Sequence, residues 1–167
     1  MYAPFESLAP ESKVWIYQSN RPFTEGEMNS LHPALRTFVE SWTAHKQELK
    51  GSYLLLRNQF IVLAVDETNM PASGCSIDKS VHFMQVIESE LGVSLFDRML
   101  FAFEENGQIA TLSKAAFAEA VLQGRITAET LVVNNMVFTK EALENKWLLP
   151  FAQSWHAQMF APAAVHG

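Results

Sequence analysis

The chain has little cysteine, little charge and no long apolar run. A single Cys among 167 residues excludes an internal disulfide, which is typical of a reducing compartment and predicts a cytoplasmic protein. No stretch approaches the roughly 20 apolar residues of a membrane span, and residues 1–7 lack the basic start and apolar run of a signal peptide. We therefore expect no membrane insertion.

Basic residues are also scarce. The sequence has 12 Lys and Arg against 18 Asp and Glu, for a formal net charge of -6, and neither sign forms a long block. Nucleic acids and anionic lipids are bound through concentrated basic surfaces. The composition therefore predicts that nucleic acid is not a partner.

Apolar residues are plentiful. Hydrophobic residues make up 49% of the chain, with twelve Phe and four Trp, which indicates a globular protein with an aromatic core. A length of 167 residues suits one domain. We predict a single domain over residues 1–167, with loose ends at about 1–12 and 161–167.

The periodicity predicts an α+β fold. Thr24 and Glu27 fit a capping box at the start of the first helix, and Gly92 is placed to end the second. The elements read strand, helix, strand, strand, helix, strand, which is the order of a ferredoxin-like βαββαβ core over about residues 13–104. Their predicted ranges are 13–19, 24–42, 53–56, 60–65, 77–91 and 96–103.

The remaining residues extend this core. Asn106-Gly107 predicts a hairpin turn into a strand at 108–112. A helix at 114–122, a strand at 131–138 and a last helix from Thr139 follow. We expect Pro33 to bend or split the first helix and Pro150 to kink the last.

The segment Ser73–Ser80 is the place where special backbone geometry and reactive side chains coincide. It joins an apolar strand to an amphipathic helix and contains the single cysteine. In a ferredoxin-like core, the end of the first helix, the end of the third strand and the start of the second helix share one edge. That topology gathers the following residues: His45, Asp66, Glu67, Cys75 and Asp78.

The first functional hypothesis is a binding domain for a small molecule or a protein, with its site at the loop 66–80. Polar, glycine-containing loops held between rigid elements commonly carry binding residues. Gly74 would allow a positive φ or the close approach of a ligand, whereas Ser73 and Ser76 also suit helix capping. The candidate ligand-binding residues are Asp66, Ser73, Gly74, Ser76 and Lys79.

The second hypothesis is a thiol-dependent enzyme or a redox-responsive protein. Cys75 would be the nucleophile, since a helix N-terminus favours a thiolate, with His45 as its base and Asp78 or Asp66 orienting the base. The nearby carboxylates oppose this, and a single cysteine beside a helix start is commonly a small core residue.

The third hypothesis is a purely structural or interaction protein. Its exposed face would come from the C-terminal aromatic residues Trp147, Phe151 and Trp155. These rings would lie on the last predicted helix.

Nucleotide and metal cofactors are not expected. Lys79-Ser80 follows a strand as in a phosphate-binding loop, but the pattern G-x-x-x-x-G-K-S needs glycine where this chain has Ser73 and Asp78. His45, Asp66 and Cys75 match no zinc spacing. We therefore predict no ATPase activity, no metal and no other cofactor.

With these residues in view, the chain resembles a family of short, uncharacterised bacterial proteins that are often labelled ABC transporter ATPase. The label implies ATP hydrolysis, which the missing nucleotide motifs contradict, and the resemblance brings no established activity. It is carried by Val14–Tyr17, Trp42–His45, Phe60–Glu67, Ala72–Asp78 and Ser154–His156.

Overall fold

A computed structural model gives the backbone of residues 1–166 and the side chains of residues 1–160. Helices and antiparallel sheets are both present, so the predicted α+β class is confirmed. The chain divides into two compact units, where the sequence predicts a single domain. Unit 1 consists of Met1–Phe96 with Phe138–Leu143, and unit 2 of Asp97–Val137 with the chain from Glu144 onward.

The sheet of unit 1 has the strand order β1-β5-β4 in the described part of the chain. β5 is antiparallel to both neighbours, so β1 and β4 run parallel on either side of it. Both faces of β5 are buried, which accounts for its nearly continuous run of apolar residues. The elements are β1 (Lys13–Gln18), α1 (Glu25–Ser41), β2 (Thr43–Ala44), β3 (Gln47–Glu48), β4 (Lys50–Leu56), β5 (Phe60–Asp66) and α2 (Gly74–Leu91).

Local signals for the two helices of unit 1 are confirmed. The Thr24–Glu27 capping box is formed at the start of α1, and Gly92 ends α2 in the left-handed region at φ 64°. Pro33 does not split α1, which is continuous through it. Both helices pack on one face of the sheet, where their apolar residues share a core with alternate residues of β5: Leu31, Leu35, Val39, Met84, Ile87, Ile61, Leu63 and Val65.

The ferredoxin-like core is not confirmed, because its predicted fourth strand belongs to another sheet. β6 (Leu100–Glu105) pairs with β7 (Gln108–Ser113) and β8 (Leu131–Val133) in unit 2. Beside β1, Lys13 and Thr139 form an isolated antiparallel bridge, and the Val14 N–H donates to the Phe138 carbonyl at 3.0 Å. The predicted pairing of this strand is therefore corrected. The sequence could not specify it, because an apolar strand pattern does not determine which strand will be the partner.

Residues 1–12 pack along the sheet, although the sequence predicts a loose end. Ala3, Phe5 and Leu8 are buried, and Gly51 exchanges backbone hydrogen bonds with Met1 and Ala3. The Lys140 ammonium, itself nearly buried, donates to the Glu6 carbonyl at 3.1 Å and to the Leu8 carbonyl at 2.8 Å. The N-terminal segment is therefore anchored by a residue from the other end of the sequence.

Unit 2 contains a sheet of order β7-β6-β8-β9 over the described residues. Asn106 and Gly107 both have positive φ in the tight turn between β6 and β7, as the sequence predicts. α3 (Lys114–Leu122) and α5 (Trp155–His166) supply aromatic residues to its core, with β9 at Leu148–Pro150. The core includes Phe101, Phe103, Phe117, Phe151 and Phe160.

The C-terminal prediction is wrong in one respect. The expected single helix from Thr139 is divided into α4 (Lys140–Lys146), β9, a 3₁₀ turn at Phe151–Gln153 and α5. Pro150 ends an edge strand, a position where its missing N–H costs no ladder bond. The predicted loose end at 161–167 lies outside the residues whose side chains are described.

Candidate functional site

The loop that leaves β5 begins with Asp66, whose carboxylate is bound on all sides. Its oxygens accept from the Thr68 hydroxyl at 2.6 Å, the Thr68 N–H at 3.0 Å and the Ala9 N–H at 3.2 Å, and the Lys50 ammonium lies 3.6 Å away. The Thr68 hydroxyl is the main cause that lowers the pKa of Asp66 to about 2, against the opposing effect of burial. Asp66 therefore fixes the start of the loop and the N-terminal segment together.

Glu67 shapes the middle of the same loop. Its carboxylate accepts from the Ala72 N–H at 2.7 Å and lies 3.2 Å from the Lys13 ammonium. The first contact spans five residues and closes the loop on itself. Both acidic residues at the end of β5 thus hold local backbone in place.

The serines of the loop form a helix cap. The Ser73 hydroxyl accepts from the Ser76 N–H at 3.1 Å, and the Ser76 hydroxyl accepts from the Ser73 N–H at 2.7 Å. Ser76 is fully buried, and its carbonyl accepts from the Trp42 indole N–H at 2.8 Å. This bond ties the end of α1 to the start of α2. The capping alternative for the two serines is the one that the geometry supports.

Gly74 is the first residue of α2 and does not need to be glycine. Its φ is not positive, and an added Cβ would meet no atom within 4 Å. The prediction that it allows a left-handed turn is therefore wrong. Cys75, Asp78 and Lys79 are exposed on the first two turns of the helix.

His45 lies in the tight turn between β2 and β3. It has φ 50° and Lys46 has φ 67°, and both side chains are exposed. β2, which leads into this turn, follows Trp42 directly and contacts α2. The end of α1 and the start of α2 therefore lie together in unit 1, where the loop from β5 enters α2.

This placement of the elements does not connect the reactive groups. Within the side chains that the structure describes, no hydrogen bond or ion pair joins His45, Cys75 and Asp78. Over the same residues, no three His, Cys, Asp or Glu side chains are grouped so that they could hold a metal ion. None of the helices in residues 1–166 has the length and apolar character needed to cross a bilayer. The roles assigned to these residues stay predictions.

Several residues that build this site were not identified from the sequence. Thr68 and Ala9 complete the shell of Asp66, and Trp42 binds the start of α2 through its indole N–H. Thr68 had a recognisable signal, because a hydroxyl two residues after an Asp commonly forms a local turn. Ala9 and Trp42 had none, since their contacts depend on the tertiary fold.

Comparison with known proteins adds nothing to this geometry. The chain matches no known protein family, no curated protein and no solved structure. The function therefore rests on the site alone, and the family resemblance stays an expectation.

Proposed function

We propose that this protein is a binding domain whose site is the loop 66–80 with the start of α2, and that its ligand is another protein. The observation that carries the proposal is that the loop contains two kinds of polar side chain, those bonded to its own backbone and those left exposed. Asp66, Glu67, Ser73 and Ser76 are consumed in holding its shape, while Cys75, Asp78 and Lys79 remain exposed. The lone thiol also suits the reducing, cytoplasmic compartment that the sequence predicts.

A protein ligand is favoured over a small molecule because of how these side chains are displayed. Small-molecule sites are concave and aim several polar groups at one point. Here the polar groups that are buried already have local partners, and the remaining ones lie on the outside of a helix end. A rigid, exposed helix end presents little surface to a small molecule but can fit a complementary protein surface.

The test uses Cys75 as its own probe. Purified protein is labelled at Cys75 with a photoactivatable maleimide and irradiated in extract of the source cells, and the crosslinked protein is identified. We expect one dominant product, and we expect Asp78→Lys and Lys79→Glu each to reduce it, because they reverse charge beside the probe.

The matched control moves the probe along the same helix. Cys75→Ser combined with Gln85→Cys places the label on an exposed position of α2 away from the loop. The same product from this control, or a product unchanged by both charge reversals, would remove the proposal.

A second candidate, thiol chemistry at Cys75, is supported by the exposure of its side chain in the first turn of an 18-residue helix. It predicts iodoacetamide labelling at neutral pH faster than that of an unstructured cysteine peptide. It also predicts that His45→Gln slows the labelling. A rate equal to that of the peptide, unchanged in this variant, retires this candidate.

The third hypothesis, an interaction face made of C-terminal aromatic residues, loses its basis. Trp147 and Phe151 are buried within unit 2, and Trp155 donates its indole N–H to the Asn134 side chain at 3.1 Å. Trp147 and Phe151 therefore offer no exposed face, and Trp155 is half-buried.

A further inference from the structure

A second group of polar side chains on unit 1 includes no residue of the loop 66–80. Tyr2 comes from the N-terminal segment, His32 and Arg36 from α1, and Tyr53 from β4; we call these four residues the Arg36 cluster. The Arg36 guanidinium lies 3.7 Å above the centre of the Tyr2 ring, and His32 Nδ1 is 3.1 Å from the Tyr53 hydroxyl. The two tyrosine rings are 6.2 Å apart.

Arg36 is engaged differently from two other arginines of the chain. Arg21 and Arg125 each bind a carboxylate through two nitrogens, with Glu27 and Glu105 as their partners. Arg36 donates to Glu40 at 2.8 Å through Nε alone, and over the described side chains its two Nη nitrogens have no hydrogen-bond partner. Stacking on Tyr2 holds the guanidinium plane, so this is a positioned cation with unused donors.

The neighbouring His32–Tyr53 pair adds a donor as well, because the hydrogen bond between the two side chains uses one N–H or O–H of the pair and leaves another. Tyr53 is half-buried, and burial raises the pKa of its phenol, so its O–H is retained at neutral pH. His32 is exposed and gains a second N–H when it is protonated.

We propose that the Arg36 cluster binds a tetrahedral oxyanion of the phosphomonoester class. A planar carboxylate would need only the two Nη donors of Arg36. The additional donor of the His32–Tyr53 pair suits a third oxygen of a tetrahedral dianion.

The experiment follows the imidazole NMR signals of the five histidines while inorganic phosphate and then phenyl phosphate are added to the full chain. We expect saturable shifts of the His32 signals with a Kd of about 1–10 mM, as a small exposed site allows. Sodium acetate at equal ionic strength should produce no saturable shift. A linear response to phosphate, or an equal response to acetate, would overturn the proposal.

Variants locate the site. Arg36→Gln should weaken phosphate binding by about tenfold or more, and Arg36→Lys should weaken it less, because it keeps the charge but loses the fork. Arg98→Gln, which removes an exposed arginine of unit 2, is the matched control. Equal losses from Arg36→Gln and Arg98→Gln would indicate a nonspecific charge effect and contradict the proposal.

A vesicle experiment distinguishes two sources of a phosphomonoester, a soluble ligand and a lipid headgroup. Phosphatidylcholine vesicles with and without phosphatidic acid are sedimented with the wild type and with Arg36→Gln. Binding of free phosphate without cosedimentation assigns the cluster to soluble phosphomonoesters, whereas cosedimentation that depends on Arg36 assigns it to lipid headgroups. The absence of both overturns the proposal.

Discussion

His156 is an ionisable side chain placed among aromatic rings. It is 1% exposed, stacks on Trp155 at a centroid distance of 3.7 Å, and contacts the rings of Phe101 and Phe117. Since the Ser154 hydroxyl donates to the Phe151 carbonyl, the Nδ1–H of His156 donates to the Ser154 oxygen at 3.3 Å. The imidazole is therefore packed in its neutral form, and burial lowers its pKa to about 4.

This burial predicts an acid-dependent loss of stability. The unfolded chain binds a proton at His156 with a pKa of about 6.5, whereas the folded protein does so only near pH 4. The free energy of unfolding should therefore fall as the pH decreases from about 6.5 to 4, by up to about 3 kcal/mol from this residue. His156→Phe keeps an aromatic ring and should remove this component. Urea unfolding at several pH values measures it, and equal pH slopes for the two proteins would contradict the prediction.

At the scale of elements, the contact of α1 with β4 depends on a missing side chain. A Cβ added to Gly51 would lie 3.1 Å from Val39 Cγ1 and 3.2 Å from the Ala64 carbonyl oxygen. The second neighbour is backbone in the centre of the sheet and cannot turn aside. Gly51 therefore sets how closely the helix can pack on the edge strand.

We expect Gly51→Val to lower the free energy of unfolding by about 1–3 kcal/mol, because the helix must move outward. Gly26→Ala is the matched control: Gly26 lies in α1 with no atom within 4 Å of its Cβ position, so alanine should stabilise by up to about 1 kcal/mol. Urea unfolding monitored by circular dichroism compares them. A neutral Gly51→Val would show that the packing distance is not limiting.

Elements with a local signal were predictable, and their partners were not. The capping box of α1, the Asn106-Gly107 turn and the apolar run of β5 each specify a structure within a few residues. The strand at β6 was also predicted, but in the wrong sheet, because pairing depends on contacts far along the chain. Pro150 was assigned to a helix kink, since helical and extended aromatic spacings overlap there.

For the candidate site too, the placement of the elements could be predicted from the sequence, whereas the partners of the polar side chains could not. The topology was sufficient to bring the end of α1 and the start of α2 together. The complete shell of Asp66 was not predictable, because Ala9 and Lys50, which are distant in sequence, bind it together with the neighbouring Thr68. The Arg36 cluster was missed for the same reason, although His32 and Arg36 are four residues apart on one helix face.

At the scale of the whole molecule, the described residues include two hydrophobic cores that belong to different units. Leu35 is buried with residues of α1, α2 and β5, and Phe117 with rings of β6 and α5. Each core supports its own sheet. We therefore expect local stability to differ between the two units.

Leu35→Ala should reduce hydrogen-exchange protection of the β5 amides, and Phe117→Ala that of the β6 and β7 amides, each by about 2–5 kcal/mol. Each variant serves as the control for the other. Native-state hydrogen exchange followed by NMR resolves the two sets of amides. Equal loss of protection in both sheets from either variant would show that the chain unfolds as one cooperative body.

The Lys140 anchor also has a consequence for biosynthesis. Its ammonium holds the carbonyls of Glu6 and Leu8, which are separated from it by 134 and 132 positions. During translation residues 1–12 leave the ribosome long before Lys140 is made, so the carbonyls of Glu6 and Leu8 lack their ammonium partner during that time. Unit 1 can therefore complete its packing only after residues 138–143 have been made, and until then Phe5 and Leu8 lie beside an anchor site that is still empty.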